Sequence, residues 1–126
     1  ICAGQGLGDN ARASLITRGL AETARLASQL GAESHTISGL AGMGDLVLSC
    51  SGPHSRNMAF GFALGSGKPV PTSLAEGRFS ASILKARSKY ESIELPICFA
   101  VDDIVNGDVD IHSRISALLS RQAGQE

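Results

Sequence analysis

The chain has 126 residues, of which 43% are hydrophobic and 18% are charged, and its formal net charge is −1. Such a hydrophobic content excludes an intrinsically disordered chain, and the length fits one domain. The near-neutral charge argues against a dedicated nucleic-acid-binding protein, and no apolar run approaches the roughly 18 residues that span a membrane.

The first predicted element is a long helix that starts at Asp9 or Asn10, since either side chain can cap a helix N-terminus. Apolar residues recur from there at spacings of three and four as far as Leu30, and Gly31 suits the left-handed position that ends helices. Four charged residues lie mostly off this apolar stripe, so we expect most of them to be solvated. These residues are Arg12, Arg18, Glu22 and Arg25.

A glycine-rich stretch follows the first helix. Residues 34 to 38 can form one helical turn, and three glycines then interrupt the regular pattern before Asp45. The next five residues read LVLSC, which periodicity alone cannot assign between strand and helix. We favour a short helix capped by Asp45, because an isolated strand would lack a partner among helices. Residues 51 to 53 end it, since proline disfavours helical geometry in the residue before it. The three glycines are Gly39, Gly42 and Gly44.

Two more helices are predicted on either side of a loop. Ser55 can cap a helix that ends at Gly65. Residues 65 to 78 are rich in glycine and proline and therefore predict a connecting loop. Ser80 opens the next helix, which carries the apolar residues Ile83, Leu84, Ala86 and Tyr90.

The last part of the chain also has a helical pattern. Pro96 stands at a first-turn position, where proline is tolerated, and Asn106-Gly107 ends that helix. Asp110 caps the final helix, whose apolar residues recur at helical spacing. No segment alternates convincingly with a period of two. The predicted fold class is therefore all-α, a multi-helix domain.

The most polar group of residues beside glycine-rich backbone consists of Asp45, Ser49, Ser55, Arg56 and Asn57. If residues 45 to 50 are helical, Asp45 and Ser49 lie one turn apart on the same face. An arginine, a hydroxyl and an amide at a helix start suit a phosphate or a polyol oxygen. On spacing alone a structural role is the more frequent outcome, in which Asp45 and Ser55 are caps and Arg56 is a surface cation.

Cysteine and histidine residues predict neither a disulfide framework nor a metal site. Cys2, Cys50 and Cys98 are odd in number and widely spaced, which favours a cytoplasmic protein with buried thiols. Cys50 lacks an obvious base at a fixed distance, so we interpret it as a structural thiol. The histidines show no ligand spacing. They are His35, His54 and His112.

Three ordered blocks of sequence carry a family resemblance. They are GLGDNARASLITRGLAE (residues 6–22), GLAGMGDLVLSC (39–50) and SRNMAFGFALGSGK (55–68). Together they resemble the bacterial type of NAD(P)-dependent glycerol-3-phosphate dehydrogenase. The resemblance implies that residues 1–126 form the carboxy-terminal all-α substrate domain, similar to that of 6-phosphogluconate dehydrogenase. It also implies an amino-terminal Rossmann domain that lies outside this chain and is its partner.

The resemblance implies an activity and its ligands. The family transfers a hydride reversibly between a nicotinamide cofactor, NAD or NADP, and the pair dihydroxyacetone phosphate and sn-glycerol 3-phosphate. The cofactor would be bound mainly by the Rossmann domain, and the sequence does not decide between NAD and NADP. A homodimer stays open, because exposed helices of a separated domain can associate.

Site roles follow from the same resemblance. The residue that matches Asp45 lies beside the reacting hydroxyl, and the one that matches Ser49 lies near it, so both are assigned as catalytic. Residues that match Ser55, Arg56 and Asn57 hold the substrate together with Asp45, chiefly at its phosphate end. These are roles implied by the resemblance, and they agree with the phosphate-binding chemistry expected of an arginine at a helix start.

The resemblance also implies cofactor contacts and one missing group. Residues that match Arg56, Leu74 and Glu76 contact the cofactor. The proton-transferring lysine of the family lies upstream of Gly6, and the first lysine of this chain is Lys68. We therefore expect the chain alone to be inactive. The alternatives are a stand-alone helical binding or dimerisation module and, disfavoured by the neutral charge, a helix-turn-helix DNA-binding protein.

Overall fold

The computed structural model describes residues 1–52, 55–73 and 75–121. Within these ranges the fold is all-α and contains no strand, which confirms the predicted class. A π-helical turn, Leu40–Gly44, lies between the second and third helices. The seven α-helices are α1 (Asp9–Gln29), α2 (Ser34–Ser38), α3 (Asp45–Ser51), α4 (Arg56–Gly65), α5 (Gly77–Glu91), α6 (Pro96–Val105) and α7 (Ile111–Leu119).

Helix α1 confirms the predicted long helix. Its N-terminal cap and the burial of its last apolar residue differ from the prediction. Gly8 precedes the helix and offers no side chain, while Asp9 begins it and pairs with Arg12 at 3.0 Å. The prediction that Asp9 or Asn10 caps the helix is therefore wrong. Gly31 has the expected positive φ of 81°. Leu30 is 53% exposed, because it follows the last helical residue and lies at the edge of the packed region.

Helix α6 is central to the core, since it contacts α1, α5 and α7. The prediction of Pro96 in its first turn is confirmed, and Gly107 takes a positive φ after its end. Burial of apolar surface from these four helices drives the packing. The buried apolar residues of these helices and of the loop before α6 are Ala81, Ile93, Leu95, Ala100, Ile104, Ile115 and Leu118.

Glu22 of α1 is buried, which contradicts the expectation that it is solvated. Its carboxylate accepts hydrogen bonds from the backbone N–H groups of Ile97 (2.8 Å) and Cys98 (2.9 Å). These amides belong to the first turn of α6, where N–H groups lack partners within the helix and the helix dipole favours a negative charge. Glu22 therefore caps a helix from 75 residues away in sequence.

Arg18 of α1 binds the C-terminal end of α7, so the expectation that Arg18 is solvated is also wrong. Its guanidinium donates to the carbonyl oxygens of Leu118 (2.5 Å) and Arg121 (2.6 Å). The last carbonyls of α7 lack partners within the helix, and a cation there is favoured by the dipole. Two charges on α1 thus fasten α6 and α7 to it.

A cluster of four charged residues joins α5, α6 and α7, and we call it the ionic network. Lys85 donates to Asp102 at 2.8 Å and to Asp103 at 2.5 Å, and Arg114 pairs with Asp103 at 2.7 Å. The hydrogen bond from Lys85, followed by one from Ser82, lowers the pKa of Asp102. The hydrogen bonds of Lys85 to Asp102 and then to Asp103 raise the pKa of Lys85. Each partner therefore stabilises the charged form of the other.

Residues 1 to 7 pack closely against α4 because of glycine. A Cβ atom on Gly4 would overlap the carbonyl oxygen of Phe62, and one on Gly65 would overlap that of Ile1. Gln5 adds a hydrogen bond from its side-chain amide to the carbonyl oxygen of Gly65, at 2.5 Å. Because glycine has no side chain, the backbone of residues 1 to 7 can lie directly against the backbone of α4.

The remaining boundaries follow the sequence with one exception. Ser55 caps α4 and Asp110 caps α7 as predicted, by accepting from the N–H groups three residues later. Helix α5 begins at Gly77 rather than at the predicted Ser80, because the carbonyl oxygen of Glu76 already accepts from the N–H of Ser80. Among the described residues, no helix combines the length and apolar character needed to cross a membrane.

Candidate functional site

The π-helical turn determines how Asp45 is presented. It requires Gly42, because a Cβ atom there would overlap the backbone of Ile37. The turn runs directly into α3, and backbone N–H groups at its end already bond to the carbonyl oxygens of Leu40 and Gly42. Asp45 is thus the first residue of α3 and makes no side-chain cap, which corrects the predicted capping role.

Asp45 and Ser49 share one face of α3, as the helical prediction for LVLSC required. The helix assignment over Asp45–Ser51 is confirmed, and it places the two residues one turn apart. Asp45 is exposed and Ser49 is half-buried. The Asp45 carboxylate forms no hydrogen bond or ion pair with any residue that the structure describes. The carboxylate is therefore available to a ligand.

The start of α4 collects three of the predicted residues. The Ser55 hydroxyl oxygen accepts from the N–H of Met58 at 3.2 Å, which leaves its O–H able to donate. Arg56 is the first residue of α4, and its side chain is 64% exposed. Asn57 accepts from the N–H of Gly77 at 3.0 Å through its Oδ1 atom, which leaves its NH₂ group able to donate.

The start of α5 lies against the start of α4. The Asn57–Gly77 hydrogen bond ties the two helix ends together, and Arg56 Nη2 lies 4.0 Å from Glu76 Oε1. The structure therefore brings Arg56 and Asn57 close to Glu76. The bonded residues Asn57 and Gly77 are 20 positions apart in the sequence. Leu74, the other predicted cofactor contact, lies outside the described residues.

The Arg56–Glu76 pair is weak, because both side chains are about two-thirds exposed (64% and 69%) and their atoms are 4.0 Å apart. The guanidinium keeps its planar fork for an anion, and Arg binds phosphate through two parallel hydrogen bonds. Helix α3 contacts α4. Within the described ranges, no hydrogen bond or ion pair joins Asp45 or Ser49 directly to Arg56.

A cavity of about 330 Å³ borders the α4–α5 junction. Asn57, Gly77 and Arg78 supply polar groups at its edge, and apolar residues of α4, α5 and α6 form most of its wall. The Arg78 guanidinium lies over the rings of Phe60 (5.9 Å) and Phe79 (4.8 Å). Sequence reasoning missed Arg78, and the available signal was its position two residues after Glu76.

Cysteine chemistry does not contribute to the site. Cys2, Cys50 and Cys98 are free and half-buried. Burial raises the pKa of the Cys50 thiol, and burial together with the negative charge of Glu22 raises the pKa of Cys98 to about 12. A thiol needs a lowered pKa to act as a nucleophile at neutral pH, so the structure supports the interpretation of Cys50 as a structural thiol. Among the described residues, no group of three potential ligands could hold a metal ion.

Comparison with known proteins identifies the family of this chain. Residues 1–116 match the family described as "NAD-dependent glycerol-3-phosphate dehydrogenase C-terminus". A glycerol-3-phosphate dehydrogenase [NAD(P)+] of Rhodospirillum rubrum is 50% identical over 124 residues, which cover 94% of this chain and 36% of the relative. The corresponding protein of Halorhodospira halophila is 48% identical over 124 residues, with coverages of 94% and 37%.

A solved structure is similar along almost the whole chain. The crystal structure of glycerol-3-phosphate dehydrogenase from Coxiella burnetii aligns with a TM-score of 0.87 and 42% identity, over 95% of this chain and 39% of that one. The chain thus spans less than two-fifths of the length of these relatives. The likeness covers the helical fold described above.

Proposed function

Because the chain belongs to the family of the C-terminal domain of NAD-dependent glycerol-3-phosphate dehydrogenase, we propose that it is the substrate domain of such an enzyme. The enzyme interconverts dihydroxyacetone phosphate and sn-glycerol 3-phosphate. The observation that carries this proposal is the exposed guanidinium of Arg56 in the first turn of α4, whose 4.0 Å contact with Glu76 leaves its donors available.

Arg56 binds the substrate phosphate with help from its neighbours. The guanidinium donates two hydrogen bonds to phosphate oxygens, and the first-turn amides of α4 add the positive end of the helix dipole. Ser55 and Asn57 donate through the O–H and NH₂ groups that their structural bonds leave unused. These donors suit a phosphate or polyol oxygen of the substrate.

Asp45 and Ser49 act at the carbon that reacts. The Asp45 carboxylate orients the proton-transferring lysine towards the oxygen of the reacting carbonyl or hydroxyl group. The family resemblance places this lysine upstream of Gly6. A carboxylate beside an ammonium holds a proton-transfer pair in position. The Ser49 hydroxyl, one helical turn away, hydrogen-bonds the substrate on the same face.

The cofactor, NAD or NADP, supplies or accepts the hydride when it is bound. Arg56 and Glu76 fit its edge, since an exposed guanidinium suits a phosphate and an exposed carboxylate suits ribose hydroxyls. No strand is present among residues 1–52, 55–73 and 75–121, so a strand–glycine loop–helix pyrophosphate site is not part of this region. The nucleotide is therefore held mainly by a Rossmann domain outside the chain.

The surface beside Asp45 fits contact with that domain. Leu40, Met43, Val47 and Leu48 are exposed large apolar residues, and Leu40 and Leu48 are 91% and 73% exposed. A contiguous exposed apolar surface marks an interaction site. The free thiols are consistent with a reducing compartment, and we place the enzyme in the cytoplasm.

The test is the reduction of dihydroxyacetone phosphate, followed as loss of NADH or NADPH absorbance. We expect turnover by the complete enzyme and none by the 126-residue chain alone, since the lysine and the nucleotide domain are outside it. Arg56→Ala in the complete enzyme lowers kcat/KM for dihydroxyacetone phosphate by more than about tenfold, because a charge-assisted hydrogen bond contributes roughly 1.5–3 kcal/mol.

Arg87→Ala is the matched control. Arg87 is also a half-exposed arginine, but it pairs with Glu91 on the outside of α5, so its removal leaves kcat/KM unchanged. Unchanged kinetics in Arg56→Ala would show that this residue does not bind the substrate. A complete enzyme that fails to reduce dihydroxyacetone phosphate with either cofactor would overturn the proposed function.

A further inference from the structure

Helix α6 has a second apolar face, which the core covers only in part. Ala100 and Ile104 are buried on its core face. Ile97, Val101 and Val105 recur every four residues on another face, and each of them is only half-buried. These three residues line the cavity of about 330 Å³ that α4, α5 and α6 enclose. The cavity therefore leaves part of the apolar surface of α6 accessible.

The other walls of the cavity are also largely apolar. Phe60 of α4 and Ala81 and Leu84 of α5 face the same space, and Phe60 and Leu84 are half-buried. A cavity of about 330 Å³ lies within the size range of small-molecule sites, which have mostly hydrophobic walls and a few polar groups that orient the ligand. Such walls suit an aliphatic chain, because burial of each methylene group is favourable.

Arg78 supplies a positive charge at the edge of this cavity. Its guanidinium lies over the rings of Phe79, at 4.8 Å, and Phe60, at 5.9 Å. Stacking of this kind holds the faces of the planar group and leaves the N–H donors at its edge able to bind an anion. Arg78 is exposed, and no residue that the structure describes accepts a hydrogen bond from its side chain or forms an ion pair with it. The cation is therefore available to a ligand.

We propose that this cavity binds an aliphatic carboxylate of medium chain length, with the alkyl chain between α5 and α6 and the carboxylate on Arg78. An arginine fork matches a carboxylate through two parallel hydrogen bonds. One guanidinium neutralises the single charge of a carboxylate, whereas a phosphate monoester carries more than one charge at neutral pH. Neither Arg78 nor the apolar wall has a role in the proposed dehydrogenase reaction, so binding at this cavity is tested separately from that reaction.

A protein segment is the competing occupant. Ile1 borders the cavity, so a segment joined to Ile1 in the complete enzyme is close enough to enter it. Charge complementarity favours the carboxylate, because an apolar segment gives the Arg78 guanidinium no partner. A comparison of the 126-residue chain with the complete enzyme distinguishes the two occupants.

Calorimetric titration of the 126-residue chain with octanoate measures the binding. We expect a dissociation constant on the order of 0.1 mM, as suits a ligand of about ten non-hydrogen atoms in a mostly apolar pocket. Butanoate binds at least about tenfold more weakly, because each methylene group that is removed lowers the affinity about fourfold. Octanol keeps the chain and lacks the charge, and it also binds at least about tenfold more weakly.

The Arg78→Met variant tests the charged end of the site. It removes the guanidinium and keeps a long side chain, so octanoate binds at least about tenfold more weakly while the affinity for octanol is unchanged. Arg87→Met is the matched control. Arg87 is a half-exposed arginine of the same helix that pairs with Glu91 and does not border the cavity, so its replacement leaves octanoate binding unchanged.

The Leu84→Trp variant tests the apolar end of the site. The larger side chain occupies the cavity, so the affinities for octanoate and octanol both fall by at least about tenfold. Circular dichroism checks that the variant keeps its helix content. Arg78→Met changes only an exposed side chain and tests the site even if Leu84→Trp does not fold.

Three results would overturn the proposal. The first is the absence of saturable octanoate binding in the millimolar range. The second is equal affinity for octanoate and octanol, or an unchanged affinity for octanoate in Arg78→Met, since either result removes Arg78 from the site. The third is binding by the 126-residue chain but not by the complete enzyme, which would show that a protein segment fills the cavity.

Discussion

Two sets of charged residues in this domain have different surroundings. In the ionic network, Asp102 is 8% exposed and Lys85 is 24% exposed, and both make short hydrogen bonds to protein partners. In the candidate site, Arg56 and Glu76 are 64% and 69% exposed and touch only at 4.0 Å. Charges of the first kind are paired with one another and fasten helices together. Those of the second kind retain the hydrogen-bonding capacity that a ligand requires.

The difference arises from the helices that carry the charges. Lys85 lies on the buried side of α5 and meets Asp102 of α6 along a packed interface, where an unpaired charge would be costly. Arg56 and Glu76 lie at helix starts next to loops, where both side chains are mostly exposed to solvent. The domain therefore separates the charges that stabilise it from those that we propose bind a substrate.

Glu22→Ala gives the largest predicted loss of stability. It removes a buried carboxylate that two N–H groups of α6 use as acceptor, and it leaves both unpaired. We expect the free energy of unfolding to fall by about 3 kcal/mol, measured by urea denaturation. Glu91→Ala is the control, because its exposed pair with Arg87 contributes no more than about 0.5 kcal/mol. Equal losses in the two variants would contradict the role of Glu22.

The ionic network predicts a smaller effect that depends on pH. The folded pKa of Asp102 lies below its ordinary value of 3.8, so its contribution is present above that pH and is lost as pH falls towards the folded pKa. The folded pKa of Lys85 lies above 10.5, so its contribution is present below that pH and is lost as pH rises through the folded pKa. Urea denaturation at several pH values measures both losses.

The Asp102→Asn variant distinguishes the effect of this network on stability at low pH from the effect of the other carboxylates. The variant is less stable than the parent chain at neutral pH, and it loses less stability than the parent between neutral pH and about pH 3, because the group that titrates is gone. If both chains lose the same stability over that range, Asp102 is not stabilised by Lys85 in the way that the geometry indicates.

Local signals made most of the fold predictable from the sequence. Ser55, Pro96 and Asp110 act within one helical turn of their own positions, so each can be recognised without knowledge of the fold. Glu22 could not be recognised, because the amides it binds are 75 and 76 residues away. The capping role predicted for Asp45 was wrong, because carbonyl oxygens of the π-helical turn already accept hydrogen bonds from the N–H groups at the start of α3.

For the candidate site, only the local arrangement of its residues was predictable. Arg56 and Asn57 follow a recognisable cap, and the resemblance to a known family supplied their roles. The contact of α4 with α5 was not predictable, since it depends on how the helices pack in three dimensions. That packing brings Asn57 to Gly77 and leaves Phe79 on the opposite side of α5 from the core. The pattern of α5 does not specify which face is covered, because apolar residues lie on both faces of the helix.

We propose that a phosphate binds at the start of α4 and not at the ionic network. The most direct measurement is an NMR titration of the ¹⁵N-labelled 126-residue chain with sn-glycerol 3-phosphate, and with glycerol as the control. We expect the amides of Ser55 to Met58 and the Arg56 guanidinium to shift with sn-glycerol 3-phosphate alone, with a dissociation constant on the order of 1 mM. Shifts confined to Lys85 and Arg114, equal shifts with glycerol, or no shifts at all would contradict the claim.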